Sequence, residues 1–247
     1  MSGPEQQPRV PSTEAEFTNA WSRCVSIPGW LTREQSAELW CAARDLVNGA
    51  TIVEIGSHQG RSTVALGSAA ARIGATVVAI DPFLEGRLFG GQNTRTLFEK
   101  NVIQAGLSDV VELIPAYSDV VLAGWSGRVD LLYIDGKHDY WSCTRDLGWV
   151  SQMAAGASVF VHDAFSSVGV TSSVLRETFR VRPRLRYRYR TGSLAAFAVG
   201  RPTVLERLAV LRQLPWFARN LVIKIMLRLR LRSLARAAGH DSPYDPY

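Results

Sequence analysis

Cysteine is scarce in this chain of 247 residues, and its few copies stand far apart. They are Cys24, Cys41 and Cys143, an odd number with no CxxC pair among them. Neither a disulfide framework nor a zinc cluster is indicated, and we expect a reducing, cytoplasmic environment. The N-terminal sequence, Met-Ser-Gly-Pro-Glu-Gln-Gln-Pro, also lacks the apolar stretch of a signal peptide or membrane anchor.

Acidic residues are almost absent from the C-terminal third. Residues 180–238 contain 15 Lys and Arg but a single acid, Glu206, whereas residues 1–179 contain 13 Lys and Arg and 19 Asp and Glu. The net charge of +6 therefore comes from the end of the chain. Aromatic side chains do not alternate with the basic ones on the charged face, so no nucleic-acid partner is expected. No apolar run reaches the roughly 18 residues of a membrane-spanning helix.

Apolar strands and helices alternate regularly through the middle of the chain. The predicted strands are Thr51–Ile55, Thr76–Ile80, Val110–Pro115, Val129–Ile134 and Ser158–His162. The predicted helices are Ser62–Ile73, Thr94–Ala105, Tyr140–Met153 and Ser172–Phe179. This alternation is typical of an α/β domain with a parallel sheet covered on both faces.

The predicted domain covers residues 14–200, after a disordered tail at residues 1–13. Its helical lead-in comprises Glu14–Ser26 and Arg33–Val47, the second opened by a capping box. Arginines alternate with apolar residues over Arg180–Arg190, which predicts a strand paired with Leu194–Val199 in an antiparallel hairpin. The arginine face is expected to be solvated, with an anion-binding surface as the alternative. Residues 201–247 are predicted to form a basic amphipathic extension of two helices separated at Pro215.

A glycine-containing turn, Gly56-Ser57-His58-Gln59-Gly60, joins the first strand to the first sheet-covering helix. Its spacing differs from the G-x-G-x-x-G fingerprint of dinucleotide-binding proteins. A P-loop is not indicated because Gly60-Arg61-Ser62 has no lysine before the serine. A helix N-terminus after such a turn suits an anionic or nucleotide-like ligand, although a turn without a ligand stays open.

The segment Val53–Thr63 resembles the first motif of class I S-adenosylmethionine-dependent methyltransferases. It looks most like the bacterial sugar and small-molecule O-methyltransferases, including the mannoside O-methyltransferases of methylmannose-polysaccharide assembly. The resemblance extends from about Gly29 to Val199 and includes four further segments, Pro28–Thr32, Ala79–Pro82, Ile134–Tyr140 and Val161–Asp163. It implies a doubly wound Rossmann-like fold with a mainly parallel seven-stranded sheet and a C-terminal antiparallel hairpin.

The resemblance also implies which residues bind S-adenosylmethionine. Ligands of open α/β sheets lie at the carboxyl ends of the strands. An acid after the second strand, Asp81, can accept both ribose hydroxyls, although a solvated loop aspartate is the alternative. Ser118 follows the third strand, where the family contacts adenine. The other residues expected to bind the cofactor, mainly around its methionine end, are Glu54, Gly56, Ser57, Gly60, Ser62, Thr63 and Asp135.

Methyl transfer to a hydroxyl group requires a base or a metal ion to remove the proton. Asp135 and Asp163 follow the fourth and fifth strands and are expected to face one crevice. Metal-dependent relatives hold Mg²⁺ in this way, so Asp135, His162 and Asp163 are the predicted metal ligands. Because imidazole suits softer ions, Mn²⁺ is the alternative to Mg²⁺.

His138 is the predicted catalytic base, acting beside Asp135, because a neutral imidazole accepts a proton near pH 7. The alternatives are a loop histidine bonded to a backbone carbonyl and, for His162, a structural residue ending a buried strand. Asp139 is expected to cap the following helix. The glycine- and phenylalanine-containing segment Phe83–Gln92 is predicted to form either a mobile lid or an ordinary surface loop.

We predict a cytoplasmic enzyme that transfers a methyl group from S-adenosylmethionine to a hydroxyl oxygen, with a saccharide or small molecule as acceptor. The alternatives are an NAD(P)-dependent dehydrogenase and a membrane-associated binding module without turnover. The C-terminal helix Trp216–Ala238 is expected to pack on the domain or on a second subunit of a homodimer. It is alternatively expected to lie on the inner face of an anionic membrane.

Overall fold

A seven-stranded sheet forms the centre of the computed structural model, which describes residues 14–85, 91–182, 184–237 and 239. Its strand order is β3-β2-β1-β4-β5-β7-β6. The strands are β1 Thr51–Ile55, β2 Thr76–Ile80, β3 Val111–Ile114, β4 Val129–Ile134, β5 Met153–Val161, β6 Leu185–Thr191 and β7 Leu194–Val199. Strands β1 to β5 are parallel, and β7 is antiparallel to both β5 and β6. The predicted doubly wound sheet with its C-terminal hairpin is confirmed.

Helices cover both faces of this sheet. They are α1 Glu14–Cys24, α2 Arg33–Arg44, α3 Arg61–Ala70, α4 Gly91–Gln104, α5 Ser118–Ala123, α6 Tyr140–Asp146, α7 Val168–Phe179, α8 Val204–Leu211, α9 Leu214–Arg228 and α10 Arg232–Ala237. A 3-10 helix, Leu147–Gln152, connects α6 to β5. The chain order reverses direction between β1 and β4, so the crevice of the switch point lies at their carboxyl ends.

Two hydrophobic cores lie on opposite faces of the sheet, and β4 contributes to both. Leu131 and Tyr133 pack in the core that also contains Trp40 of α2. Leu132 and Ile134 pack in the other core, with side chains from α6 and α7. This alternation is the period of two of a strand that is buried on both faces, and it explains why β4 is apolar from Leu131 to Ile134.

Two predicted helix starts are confirmed by their caps. The Thr32 side chain accepts a hydrogen bond from the Gln35 backbone N–H, and the Gln35 side chain accepts one from the Thr32 N–H. Asp139 caps α6 by accepting a hydrogen bond from the Ser142 backbone N–H at 2.9 Å. Helix α2 ends at Arg44 rather than at the predicted Val47, whose side chain is exposed.

The predicted single helix Tyr140–Met153 was wrong in its second half. Helix α6 ends at Asp146, and the following turn is a 3-10 helix that buries Trp149. The Trp149 indole N–H donates to the Ser118 carbonyl oxygen at 3.1 Å, a contact with a distant part of the chain. Strand β5 consequently starts at Met153, five residues before the predicted Ser158. Helix α5 was not predicted at all.

The expected uniform alternation of the arginine-rich strand is interrupted in β6. The register with β7 shifts between Tyr187 and Tyr189, so Arg188 lies at a bulge. Tyr187 packs in one core, whereas the Tyr189 hydroxyl donates to Glu38 of α2 on the other face at 2.6 Å. The prediction of one solvated arginine face is therefore corrected, because Arg186 and Arg190 are half-buried.

Over its described residues, the C-terminal extension contains three helices instead of two, since the predicted second helix is divided into α9 and α10. The predicted separation lies just before Pro215, at Arg212–Gln213 between α8 and α9, and the proline itself lies in the first turn of α9, where its missing N–H costs no hydrogen bond. The predicted tail at residues 1–13 and residues 86–90 of the predicted lid lie outside the described residues, as do residues 238 and 240–247. Over the part of the chain that the structure describes, no helix is both long and apolar enough to cross a membrane.

Candidate active site

The loops after β1 and β4 touch at the switch point. The Asp135 backbone N–H donates to the Ile55 carbonyl oxygen at 2.8 Å. Gly56 has a φ of 87°, and a Cβ atom at this position would lie 2.3 Å from the Asp135 carbonyl oxygen. Glycine is required here for both its conformation and its small size. The glycine turn and the loop that carries Asp135 therefore form one wall of the crevice.

Glu54 is fully buried at the end of β1 and is held by the start of α3. Its two carboxylate oxygens accept hydrogen bonds from the hydroxyl groups of Ser62 and Thr63. Burial raises the pKa of Glu54 to about 7, although these two hydrogen bonds act in the opposite direction. The observed role of Glu54 is to fix the first turn of α3 against the strand. Direct contact of Glu54 with the cofactor stays a prediction.

Asp81 follows β2 and orders the glycine turn. Its Oδ2 accepts hydrogen bonds from the backbone N–H groups of Ser57 at 3.0 Å and His58 at 2.9 Å. Its Oδ1 accepts a hydrogen bond from the Phe83 N–H at 2.8 Å. This carboxylate is held in place, and the alternative of a solvated loop aspartate does not describe it. Asp81 lies beside the turn that is predicted to bind the donor, as its proposed role requires.

Ser118 begins α5 and is tied to a residue that the sequence did not single out. Its hydroxyl group donates a hydrogen bond to Asp146, which is buried at the end of α6. Burial raises the pKa of Asp146 to about 6. No local pattern identifies Asp146, because an aspartate near a helix end is common and only the fold brings it to Ser118. The predicted contact between Ser118 and adenine is untested.

Two carboxylates and two imidazoles form a compact cluster at the ends of β4 and β5, which we call the strand-end cluster: Asp135, His138, His162 and Asp163. His138 Nδ1 lies 3.0 Å from Asp163 Oδ2, and His138 Nε2 lies 3.5 Å from Asp135 Oδ1. His162 Nδ1 lies 3.2 Å from Asp135 Oδ1. The Tyr133 hydroxyl donates to Asp135 Oδ2 at 3.0 Å. Asp135 and Asp163, which were expected to face one crevice, are brought together by His138, which contacts both.

Charges within the cluster favour the ionised forms. Burial by itself lowers the pKa of His138. Hydrogen bonds and charges from Asp135 and Asp163 outweigh burial and raise this pKa to about 10. Burial likewise raises the pKa of Asp135, but the two histidines hold it well below its usual range. The pKa of Asp163 is lowered and that of His162 raised by the same attractions, against their burial. These attractions favour the protonated form of both imidazoles and the ionised form of both carboxylates.

Residues outside the matched motifs support the cluster. Gln35 Oε1 lies 3.3 Å from His162 Nε2, while its amide nitrogen donates to Ser193 Oγ at 3.2 Å. The Ser167 hydroxyl donates to the His138 carbonyl oxygen at 3.1 Å. Gln35 was predicted only as a capping residue, and the sequence gives no sign that α2 reaches the end of β5. Long-range packing places it there.

The arrangement of these side chains does not match the predicted metal site. Mg²⁺ needs several free oxygen ligands, and Mn²⁺ accepts imidazole as well. Here, however, the carboxylates of Asp135 and Asp163 already face the ring nitrogens of His138 and His162. Among the described residues, no group of three or more His, Cys, Asp and Glu side chains is arranged to hold a metal. We therefore assign no role to a metal ion.

Comparison with known proteins identifies the domain that contains these residues. Residues 53–164 match the family model described as a methyltransferase domain. This range includes every predicted site residue from Glu54 to Asp163. The described site and the matched domain are therefore the same part of the molecule.

Solved structures with the same fold come from several organisms. The cofactor-bound protein Rv0187 from MTB has 19% identity and a TM-score of 0.59, over 80% of this chain and 100% of that chain. The O-methyltransferase from Bacillus cereus in complex with SAH has 18% identity and a TM-score of 0.55, over 76% and 92%. The O-methyltransferase TomG from Streptomyces achromogenes, which is involved in tomaymycin synthesis and was solved with SAM, has 18% identity and a TM-score of 0.56, over 78% and 92%.

Residues 53–164, which carry the described site, match a methyltransferase domain, and the chain has the Rossmann-like fold of the solved O-methyltransferases. The enzyme class predicted from the sequence is thereby confirmed, and a nicotinamide-dependent dehydrogenase is not favoured. This chain shares the fold of these structures. The similarity does not distinguish a sugar-modifying subgroup.

Proposed function

We propose that this protein transfers the methyl group of S-adenosylmethionine to a hydroxyl oxygen, and that the acceptor is a saccharide. One observation carries the proposal: the glycine turn at Gly56 lies against the backbone of Asp135, which belongs to the strand-end cluster. A donor held by the turn would have its methyl group beside carboxylates and imidazoles. Neighbouring structures described as O-methyltransferases, with SAH or SAM bound, support the same chemistry.

The described residues fit the donor. The turn from Gly56 to Gly60 and the free backbone N–H groups at the start of α3 suit its carboxylate, since a helix N-terminus favours negative charge. We assign the ribose hydroxyls to Asp81, whose carboxylate would exchange its amide partners for ligand hydroxyls. When bound, S-adenosylmethionine supplies an electrophilic methyl group, so the protein has to orient the acceptor and take up its proton.

His138 is the residue we assign to proton removal, with Asp163 as the residue that orients it. The shorter contact joins His138 Nδ1 to Asp163, whose side chain is only 3% exposed. The longer contact, from Nε2 to Asp135, is the one that an acceptor hydroxyl can replace. Nε2 would then face the hydroxyl while Asp163 holds Nδ1–H, the arrangement that a histidine base requires.

The same geometry argues against Asp135 as the base. Although burial raises its pKa, its histidine partners hold that pKa well below the usual range, so the carboxylate is a weak proton acceptor. As an anion beside His138, it stabilises the imidazolium that proton transfer would create. His138 itself is protonated near neutral pH while both carboxylates contact it. The proposal therefore requires that the Nε2 proton of His138 passes to bulk water as the acceptor displaces Asp135, before His138 takes up the proton of the acceptor hydroxyl.

The saccharide acceptor rests on the sequence resemblance and on the polarity of the crevice. Carboxylates and imidazoles can bond several hydroxyl groups at once, as a sugar ring requires. The mannoside acceptors of the resembling enzymes are the first compounds to try. The cytoplasmic location remains a proposal that rests on the three cysteines, each of which is a buried free thiol.

Calorimetric titration with S-adenosylhomocysteine tests the donor site, and transfer of radiolabelled methyl groups to mannosides tests the acceptor. We expect binding of S-adenosylhomocysteine, none of NAD(P), and full activity after treatment with a chelator. Absence of S-adenosylhomocysteine binding would overturn the whole proposal. Binding of the donor without transfer to any saccharide, but with transfer to another hydroxyl compound, would overturn the acceptor class alone. Loss of activity with the chelator, restored by Mg²⁺ or Mn²⁺, would contradict the assignment without a metal.

A further inference from the structure

The helices after the sheet expose an unusually apolar surface. On α9, Leu221, Val222 and Ile225 are 37%, 48% and 49% exposed, and Leu229 just beyond it is 64% exposed. These positions recur every three or four residues and share one helix face. Leu205 and Leu208 on α8, and Leu231 and Leu234 at α10, are further exposed leucines of these helices. We call this surface the C-terminal face. Scattered apolar residues need no explanation, but a continuous stripe marks an interaction site.

Basic side chains border the same stripe. The exposed cations of this region are Arg212, Arg219, Arg228, Arg230, Arg232 and Arg236. The sequence contains no Asp or Glu between residues 207 and 238. Within α8, α9 and α10 the sequence has one acid, Glu206 of α8, and Glu206 pairs with Arg186 of β6 at 2.9 Å.

We propose that the C-terminal face binds the surface of an anionic lipid bilayer. Helices that lie in a membrane interface combine leucine-type residues on one face with Lys and Arg beside them, as α9 does. Anionic headgroups complement the arginines, and the acyl region accepts the aliphatic side chains. A second copy of this chain is a poorer partner, because a symmetric interface would bring the arginines of one copy against those of the other.

The opposite face of α9 is anchored to the domain, so the helix presents its stripe in a fixed orientation. Ile223 and Asn220 are fully buried, and the Asn220 side-chain amide donates to the Phe165 carbonyl oxygen at 3.3 Å. The Arg190 guanidinium lies 3.8 Å from the centre of the Trp216 ring and donates to Gln213. A helix held in this way can bind a surface without first unpacking from the enzyme.

This placement has a consequence for the acceptor. Phe165 is two residues beyond Asp163, so α9 is bonded to the loop that carries one member of the strand-end cluster. A bilayer on the C-terminal face would lie on the far side of α9 from this loop, about 10 Å away across one helix diameter, a distance that a saccharide carried on a lipid could span. This consequence rests on the proposed function, whereas the binding of the bilayer does not.

Co-sedimentation of the full chain with vesicles tests the proposal. We expect binding to vesicles of phosphatidylcholine mixed with phosphatidylglycerol, weak binding to phosphatidylcholine alone, and release as the salt concentration rises. Arg228→Glu and Arg232→Glu should each lower the partition coefficient about fivefold or more, since one cation near a charged surface has about that effect. Ile225→Asp and Leu229→Asp should lower it as well, because they remove apolar contact.

Matched controls separate this surface from general effects of charge. Lys100→Glu and Val120→Asp change an exposed cation and an exposed aliphatic residue elsewhere, and both should leave vesicle binding unchanged. Thermal melting of each variant checks that it is folded. Equal binding to neutral and anionic vesicles, or no binding to either, would overturn the proposal. A dimer in analytical ultracentrifugation that Leu229→Asp converts to a monomer, with vesicle binding unaffected, would assign the face to a second copy instead.

Discussion

His138 has a carboxylate on each side of its ring, and this arrangement decides its protonation. Asp163 holds Nδ1 at 3.0 Å, and Asp135 lies 3.5 Å from Nε2. A free histidine is mostly neutral above a pH of about 6.5, so the sequence alone suggested a ready base. The two anions instead raise the pKa of His138 to about 10, in spite of its partial burial.

The rate of methyl transfer should therefore rise with pH through the neutral range. Only neutral His138 can accept a proton, and below its pKa the neutral fraction increases about tenfold per pH unit. A pH profile of kcat/KM should show this rising limb up to about pH 10. Asp163→Asn should move the limb to lower pH and also lower the maximal rate. A flat profile in the unmodified enzyme would contradict the role of His138.

Replacement of His138 by alanine should lower the rate of methyl transfer, because it removes the proposed base. We expect His138→Ala to lower kcat by about two to four orders of magnitude, the usual contribution of a general base. Affinity for S-adenosylhomocysteine, measured by calorimetry, should change little because the donor contacts other residues. Lys137→Ala is the neighbouring control, since its side chain is 71% exposed and contacts Asp139. Equal losses in the two variants would point to disruption of the loop.

Glu54 should make the stability of the protein depend on pH. Burial raises its pKa from 4.5 to about 7, so the folded state holds this proton more tightly than the unfolded chain. The associated stability is fully present below about pH 4.5 and is lost as the pH rises through about 7. Chemical denaturation at several pH values should show that loss, and Glu54→Gln should flatten it. Glu99 forms an exposed ion pair with Arg95, so Glu99→Gln is the control that should leave the dependence of stability on pH unchanged.

At the level of secondary-structure elements, α2 combines a local role with a distant one. Its capping box satisfies backbone groups at the helix start, and the residue that completes the box, Gln35, also contacts His162. The cap could be read from the sequence because Thr32 and Gln35 are three residues apart. The contact with His162 joins residues 127 positions apart in the chain, and no local pattern contains it.

Two variants of α2 should separate these roles. Thr32→Ala removes the cap and should lower stability by about 1 kcal/mol while leaving kcat unchanged. Gln35→Ala removes the cap and also the contact that fixes the His162 ring, so it should lower both stability and kcat. Steady-state kinetics and thermal melting measure the two effects, and Gln35→Glu tests rescue of the contact by an acceptor oxygen. A normal kcat in Gln35→Ala would remove Gln35 from the active-site support.

At the level of the whole molecule, the C-terminal helices belong to the core on one side and face outward on the other. Val210 of α8 and Ile223 of α9 are fully buried, and Trp216 and Phe217 pack against the main core. The extension predicted as a separate region from residue 201 is therefore packed on the domain. Its outward apolar residues do not contribute to that packing.

Two isoleucines of α9, one on its buried side and one on its exposed side, should differ in their contribution to stability. Ile223→Ala removes buried methyl groups and should cost about 2–5 kcal/mol of unfolding free energy, whereas Ile225→Ala should cost less than about 1 kcal/mol. Denaturant titration measures both, and the same residue type on the same helix makes the comparison direct. Similar small losses would mean that α9 is not docked on the domain as described.

The amount that could be predicted from sequence differs between the sheet and the site. Alternating apolar strands and helices specified the parallel sheet, because strand and helix periods are local properties of the chain. The residues after the strands could be identified for the same reason, since parallel strands end at one edge. The bulge at Arg188, the 3-10 helix at Trp149 and the buried Asp146 escaped prediction, because each depends on a partner far away in sequence.

The sequence by itself determined the strands and helices of the domain, the glycine turn, and the acids and histidines at the carboxyl edge of the sheet. Tertiary structure decided how those groups pair: His138 with two carboxylates, His162 with Asp135 and Gln35, and Glu54 with two hydroxyl groups. The physical reason is that a residue's type is fixed by the chain, whereas its protonation and hydrogen bonds depend on burial and on neighbours that only folding brings within a few ångströms.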